Sequence, residues 1–120
     1  MPYSNRRNEN WVTERVLRLG PSTTLDVGPG AGAYGHLMKR VLPSARRDAV
    51  EIWAPYIKQF DLPSIYDEVF VCDARIFPHY EYDLVFLGDV LEHMMAEDAR
   101  KLWDRISGQA KAAIISVPII

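Results

Sequence analysis

The sequence predicts an α/β fold, with an open, mostly parallel, twisted sheet of about five strands and helices on both faces. Short apolar stretches rich in β-branched residues alternate with segments whose apolar residues recur at helical spacing. A glycine-rich loop joins the first such stretch to the helix after it. The chain has 120 residues, of which 48% are hydrophobic and 25% charged, as is typical of a globular domain. We therefore expect residues 1–120 to form a single domain with parallel strands joined by right-handed crossovers.

Each element has its own signal. Five apolar stretches predict the strands Thr23–Val27, Ala49–Ile52, Glu68–Cys72, Tyr82–Leu87 and Ala112–Val117. Four segments predict helices: one with Trp11, Val12, Val16 and Leu19 on one face, one over Tyr34–Leu42, a short one over Ala54–Phe60, and one from Leu91 through Ile106 to near Gly108. Proline and glycine mark the helix ends, since neither continues a helix well.

The last predicted strand runs almost to Ile120, where the sequence stops. A five-stranded sheet would then leave an exposed edge, which proteins usually cover. We expect either that the chain is a fragment of a longer protein or that a second copy or another partner covers this edge.

Composition and charge narrow the class of protein. The net charge is −2, and no stretch concentrates lysine and arginine as a nucleic-acid surface would. Cys72 is the only cysteine, so an internal disulfide is impossible, as fits a reducing cytoplasm. Neither a signal peptide nor an apolar run of membrane-spanning length is found, and the three histidines are too widely spaced for a metal motif. These features predict a cytoplasmic protein with no nucleic-acid, membrane or metal partner.

The segment Leu25-Asp26-Val27-Gly28-Pro29-Gly30-Ala31-Gly32 carries the strongest functional signal. A strand that runs into closely spaced glycines and opens a helix lets the backbone approach a ligand. Gly30, Gly32 and Gly35 also satisfy the dinucleotide pattern G-x-G-x-x-G, and a purely structural turn would use glycine too. Asp26 favours a cationic ligand, because a carboxylate at the loop repels a pyrophosphate.

Position by position, Asp26, Gly28, Gly30 and Gly32 resemble the first motif of the class I S-adenosylmethionine-dependent methyltransferases, acidic-x-G-x-G-x-G. The resemblance covers Thr23 through Pro118. It implies a Rossmann-like methyltransferase core that binds S-adenosylmethionine, yields S-adenosylhomocysteine and needs no metal. Family members continue with an antiparallel C-terminal hairpin, which is missing here, so the resemblance also implies a C-terminally truncated core.

Two further acids follow the predicted second and third strands. Glu51 lies 19 residues after Gly32, where a carboxylate can accept hydrogen bonds from both ribose hydroxyls. By resemblance to the second motif, Ile52 and Trp53 would flank the adenine, although packing of Trp53 in the core stays open. Val71-Cys72-Asp73-Ala74 resembles the third motif, which implies that Asp73 accepts from the adenine amine and that the Ala74 amide contacts the ring. A helix cap or loop acid is the alternative for Asp73, and Cys72 is predicted to face the other side as a small buried hydrophobe.

The segment from Tyr82 to His93 resembles the fourth motif, with the Leu-Glu-His ending of small-molecule branches. The resemblance places Gly88 and Asp89 beside the cofactor and facing the acceptor. Asp89 and His93 are weak candidates for a catalytic base, and a structural role is preferred for His93. The predicted cofactor site thus comprises Asp26, Gly28, Pro29, Gly30, Gly32, Glu51, Ile52, Trp53, Asp73, Ala74, Gly88 and Asp89.

The sequence predicts a methyltransferase whose acceptor is a small molecule, because the surface is not basic. A nucleic-acid base as acceptor is disfavoured, since no Asn/Asp-Pro-Pro-Tyr motif follows the fourth strand. Two alternatives remain open: a non-catalytic binding or assembly module, and an NAD-dependent oxidoreductase. Four apolar residues can line the acceptor pocket, although their helical spacing favours core packing: Trp11, Tyr34, Met94 and Met95.

Overall fold

The computed structural model describes residues 9–88 and 90–116. The strands of this part of the chain form one five-stranded sheet: β1 (Thr23–Val27), β2 (Arg46–Glu51), β3 (Glu68–Val71), β4 (Leu84–Gly88) and β5 (Ala113–Ser116). Its helices are α1 (Glu9–Leu19), α2 (Ala33–Val41), α3 (Ala54–Gln59) and α4 (Ala96–Gln109). Short 3-10 turns cover Leu62–Ser64 and Leu91–His93.

The strands lie in the order β3-β2-β1-β4-β5, and all four pairings are parallel. The chain builds the sheet outward from β1 to β3, then crosses back to place β4 on the other side of β1. This reversal opens a crevice at the carboxyl ends of β1 and β4, where open α/β sheets bind their ligands. The predicted α/β architecture is confirmed.

Side-chain alternation along the strands divides the core between two faces. On one face, Leu25 and Val85 pack with Leu102 and Ile106 of α4. On the other, Phe86 packs with buried residues of α1 and α2, and its ring stacks on that of Tyr34 with centroids 4.6 Å apart. None of the helices in the described part of the chain combines the length and apolar character that crossing a membrane requires.

The structure corrects the predicted boundaries of the last helix. The prediction began it at Leu91, but Leu91–His93 forms a 3-10 turn and Met95 is extended, so that α4 begins at Ala96. Acidic residues in the first turn of α4 favour that start, since they lie near the positive end of the helix dipole.

The strand ends also differ from the prediction. The second strand begins earlier than predicted, at Arg46, because backbone pairing with β1 extends over its polar residues. β3 ends at Val71, one residue before its predicted end. β4 begins at Leu84, two residues after its predicted start. Val117, predicted to end the fifth strand, lies outside the described residues.

Only two of the four residues predicted for the apolar face of α1 are buried. Val12 and Val16 are buried, but Trp11 is 51% exposed and Leu19 is exposed as well. One pair of residues at i and i+4 is enough for the contact that α1 makes with the core. The indole of Trp11 instead lies under the Arg15 guanidinium, 5.2 Å from the ring centroid. Trp11 therefore does not belong to the core, and it does not line the cleft described below.

Replacing Phe86 by alanine tests this packing. We expect a loss of about 3–5 kcal/mol in the free energy of unfolding, because the change removes a buried aromatic ring and its stacking contact with Tyr34. Trp11→Ala is the control and should cost no more than about 1 kcal/mol. Chemical denaturation of both variants measures the difference, and a larger loss for Trp11→Ala would contradict the assignment of the core.

Candidate functional site

A cleft of about 530 Å³ opens at the carboxyl ends of the strands. Its volume falls in the range of about 300–1,000 Å³ that small-molecule sites occupy. The ends of β1, β2 and β4 and the segments that follow β3 and β4 supply its walls. Seven of the predicted cofactor residues line it: Gly28, Gly30, Glu51, Ile52, Asp73, Ala74 and Gly88.

The glycine loop presents bare backbone to this cleft. Gly28 and Gly30 have φ values of 65° and 56°, a left-handed conformation that glycine adopts without strain. A Cβ on Gly28 would also lie 2.8 Å from Cγ2 of Val90. The Gly28 backbone N–H donates to the Val50 carbonyl at 2.8 Å, which ties the loop to β2. Glycine here is required both by conformation and by the close approach of the opposite wall.

Asp26 lies in β1, two residues before Gly28, and only 3% of its surface is exposed. Its Oδ2 accepts a hydrogen bond from the Tyr66 hydroxyl at 2.5 Å. Its Oδ1 is buried and has no partner in the part of the chain that the structure describes. Burial raises the pKa of Asp26 to about 7, the Tyr66 hydrogen bond opposes that rise, and the negative charge of Glu51 adds to it.

Glu51 ends β2 and is 4% exposed, but its carboxylate forms part of the cleft wall. Oε2 accepts from the Trp53 backbone N–H at 2.9 Å, which fixes the orientation of the side chain. That bond is the one protein hydrogen bond of this carboxylate among the described residues, so Oε1 remains available to a donor in the cleft. Two hydroxyls of a sugar are suitable donors for such a group.

Asp73 also lines the cleft, but Arg75 engages its carboxylate. Oδ1 accepts from the Arg75 backbone N–H at 2.9 Å and from Nε at 3.1 Å, and Oδ2 accepts from Nη2 at 2.7 Å and from Nε at 3.1 Å. These contacts use the roughly four lone-pair positions of a carboxylate. The Arg75 side chain holds the pKa of Asp73 below its usual range, and the Arg75 backbone N–H acts in the same direction.

The guanidinium of Arg75 also reaches the start of α4. Its Nη1 donates to Asp98 Oδ2 at 3.4 Å, and Asp98 lines the cleft as well. Arg75 therefore links the segment after β3 to α4 across one wall of the cleft.

Solved structures that resemble the chain belong to methyltransferases. The methyltransferase domain of a bacterial Hen1, CtHen1-CN, matches with a TM-score of 0.77 at 15% identity, over 95% of this chain and 66% of that one. A S-adenosylmethionine-dependent methyltransferase from Clostridium acetobutylicum matches with a TM-score of 0.71 at 15% identity, over 94% and 50%. The N-methyltransferase NodS from Bradyrhizobium japonicum, in complex with S-adenosylhomocysteine, matches with a TM-score of 0.59 at 18% identity, over 84% and 56%.

The chain has the class I methyltransferase fold. It spans between 33% and 66% of the length of the solved structures that it matches. No protein-family model matches the sequence, and no curated protein matches it significantly. The likeness to the methyltransferase structures thus rests on three-dimensional similarity rather than on sequence.

Five predicted residues do not line the cleft or cannot be placed in it. Pro29 and Gly32 are buried within the loop and its helix start, and Asp26 lies behind the cleft wall. Trp53 is 58% exposed, so the alternative of core packing is wrong for it. Asp89 lies outside the described residues.

Residues after β3 and β4 also depart from the prediction. Cys72 lines the cleft and is only partly buried, because β3 ends at Val71 and strand alternation no longer applies. His93 is exposed at the cleft. Met94 and Met95 line the cleft too, and Met95 is 78% exposed, so core packing is wrong for it. Core packing of Tyr34 is confirmed.

The sequence did not identify Tyr66, Arg75 or Asp98 as residues of the site. Arg75 carries a readable signal, since a residue two positions after an aspartate readily hydrogen-bonds to it. Tyr66 carries none, because it is 40 residues from Asp26. Among residues 9–88 and 90–116, no three metal-binding side chains form a group that could hold an ion.

Asp26→Asn tests how far the burial of this carboxylate destabilises the fold. Because the pKa is raised from 3.8 to about 7, the folded protein retains a proton that the unfolded chain releases, and stability falls as the pH rises from about 4 to about 7. Asparagine keeps the shape and can accept the Tyr66 bond without a charge. We expect the advantage of the variant over wild type to grow by about 3 kcal/mol between pH 5 and pH 8.

Denaturation curves at the two pH values measure this difference. The exposed Asp104→Asn on α4 serves as control and should show no such trend. An advantage of Asp26→Asn that is equal at pH 5 and pH 8 would contradict the assignment of the buried charge.

Proposed function

We propose that this chain binds S-adenosylmethionine and is the cofactor-binding core of a methyltransferase with a small-molecule acceptor. The proposal rests on one observation above all. Asp26 is a buried carboxylate without a cationic partner among the described residues, directly below a bare glycine loop at the crevice of the sheet. A ligand with a positive charge supplies what this carboxylate lacks.

A second buried aspartate, Asp48, differs from Asp26 because it has a cationic partner in the protein. Asp48, in β2, accepts from the Tyr82 hydroxyl at 2.7 Å and also from the Arg46 guanidinium at 3.1 Å. The protein therefore balances the charge of Asp48 itself. It does not do so for Asp26, which is the buried aspartate next to the cleft.

The donor set fits the proposed cofactor. Asp26 offers a negative charge behind the cleft wall to a cationic amino or sulfonium end, and Glu51 offers a carboxylate to the ribose hydroxyls. Gly28 and Gly30 leave room for close approach of the ligand to the backbone. When bound, S-adenosylmethionine supplies an electrophilic methyl group on sulfur, and the protein supplies binding and orientation.

The other wall of the cleft can serve the acceptor. Val90, Met94 and Met95 present apolar surface to an acceptor. His93 is exposed beside them and can take a proton from a weakly acidic acceptor. A small molecule is proposed as acceptor because the net charge of −2 gives no attraction to nucleic acid.

The comparisons support the choice of cofactor, since NodS and the plantazolicin methyltransferase BpumL are described in complex with S-adenosylhomocysteine. A cytoplasmic location, suggested by the lone cysteine, and a second copy at the edge of the sheet remain predictions.

A non-catalytic binding module is the second candidate. Binding of S-adenosylhomocysteine without methyl transfer to any acceptor of a small-molecule panel would favour this candidate. An NAD-dependent oxidoreductase is disfavoured by Asp26, because an ionised carboxylate beside the loop repels a pyrophosphate.

Calorimetric titration with S-adenosylhomocysteine and with NAD tests the cofactor. We expect the first to bind and NAD not to bind. Glu51→Gln keeps the bond to the Trp53 N–H but loses the charge that holds the ribose hydroxyls, and should weaken binding of S-adenosylhomocysteine by about 10- to 100-fold. Glu68→Gln, at the far end of β3, is the matched control and should bind as wild type does. Binding of NAD alone would refute the proposal.

Arg75→Ala tests whether Asp73 takes part. If the adenine amine binds Asp73, it must displace the Arg75 guanidinium from that carboxylate. The pair is exposed and contributes little by itself, so removal of Arg75 should strengthen binding of S-adenosylhomocysteine by up to about fivefold. Arg100→Ala, on the exposed side of α4, is the control. A loss of affinity in Arg75→Ala would show that Arg75, and not Asp73, contacts the ligand.

A further inference from the structure

Tyr66 reaches Asp26 from a distant part of the chain. It follows the 3-10 turn Leu62–Ser64 and is buried against Ala49 and Ile65. Its hydroxyl donates to Asp26 Oδ2 at 2.5 Å and fixes that carboxylate oxygen, whereas the buried Oδ1 has no partner among residues 9–88 and 90–116. Tyr66 itself does not line the cleft.

Gly35 makes the contact possible. A Cβ at this position of α2 would lie 2.5 Å from Cζ and 2.6 Å from the hydroxyl oxygen of Tyr66. Gly35 is the third glycine of the G-x-G-x-x-G pattern, and it does not line the cleft. Its lack of a side chain therefore admits the tyrosine ring rather than a ligand.

We propose that Tyr66 is a positioning residue of the nucleoside site: through the space at Gly35, its hydroxyl holds the Asp26 carboxylate charged behind the cleft wall, where that charge attracts the cationic end of the ligand. This inference rests on the proposed function. A protonated Asp26 attracts no cation. Tyr66 therefore controls the fraction of the protein in which Asp26 is ionised and the cationic ligand can bind.

The charges around the pair set the pH range. Burial raises the pKa of Asp26 to about 7, the Tyr66 bond lowers it, and Glu51 of β2 raises it. Burial also raises the pKa of Tyr66 far above its usual value, so the hydroxyl remains a donor. The Gly35 backbone N–H of α2 and the charge of Arg47 act on it in the opposite direction. Loss of the hydroxyl removes the one contribution named here that favours the charged carboxylate.

The chain offers a matched control on the other face of the sheet. Asp48 pairs in register with Leu25 and Asp26 with Ala49, so the two aspartates project to opposite faces. Tyr82 donates to Asp48 as Tyr66 does to Asp26, and Oδ1 of Asp48 is likewise unpaired among the described residues. Neither Asp48 nor Tyr82 lines the cleft.

Titration of wild type, Tyr66→Phe and Tyr82→Phe with S-adenosylhomocysteine at pH 6, 7 and 8.5 tests the proposal. Wild-type affinity should rise through pH 7. Tyr66→Phe should bind roughly tenfold more weakly at pH 6 and no more than about twofold more weakly at pH 8.5, because a higher pKa of Asp26 matters only below that pKa. Tyr82→Phe should follow the wild-type profile even if it loses similar stability.

A merely structural role predicts a different result, namely an equal loss for Tyr66→Phe at every pH, and that result would overturn the proposal while leaving the proposed function intact. Failure of wild type to bind S-adenosylhomocysteine at any pH would overturn both. Gly35→Ala gives an independent check, because its methyl group displaces Tyr66; it should reproduce the pH profile of Tyr66→Phe.

A ligand-free measurement completes the test. In carbon-detected NMR, the Asp26 carboxyl should titrate near pH 7 in wild type and about one unit higher in Tyr66→Phe. An unchanged midpoint would overturn the proposal whatever the binding data show.

Discussion

The structure depends on how a carboxylate is accommodated in the dry interior at the end of its central strand. β1 has neighbours on both sides and core on both faces, so Asp26 is removed from water almost completely. Burial of a charge without a counter-charge is costly, and the fold offsets only part of that cost with one hydroxyl from Tyr66. The other carboxylate oxygen, Oδ1, is buried and has no hydrogen-bond partner among the described residues. A site that is unfavourable when empty and satisfied by a cation is selective by electrostatics alone.

The acidic side chains of this protein differ in which groups balance their negative charge. Asp48 has Arg46 beside it, and Asp73 is surrounded by the donors of Arg75. Glu51 takes one backbone N–H and keeps an oxygen toward the cleft. This distribution separates acids whose charge the protein balances itself from acids that remain available to a ligand.

The glycines of the G-x-G-x-x-G segment and its surroundings also have different structural roles. Gly28 and Gly30 shape the loop at the cleft, whereas Gly35 gives space to a tyrosine ring. A pattern that is usually associated with phosphate binding is therefore met here by residues with unrelated tasks. The methyltransferase fold and the charge at Asp26 agree with each other and not with a dinucleotide, as the chemistry of the loop already indicated.

The sequence by itself determined the sheet, the glycine loop and the placement of acids at the carboxyl ends of strands, because these follow from local periodicity and from the geometry of parallel strands. It placed Gly28, Gly30, Glu51 and Asp73 at one cleft for the same reason. Only the tertiary structure decided which acids have partners. Tyr66 and Tyr82 reach their aspartates across 40 and 34 residues, and no local pattern records such contacts. The charge state of a buried group depends on the side chains that fold around it, and those come from every part of the chain.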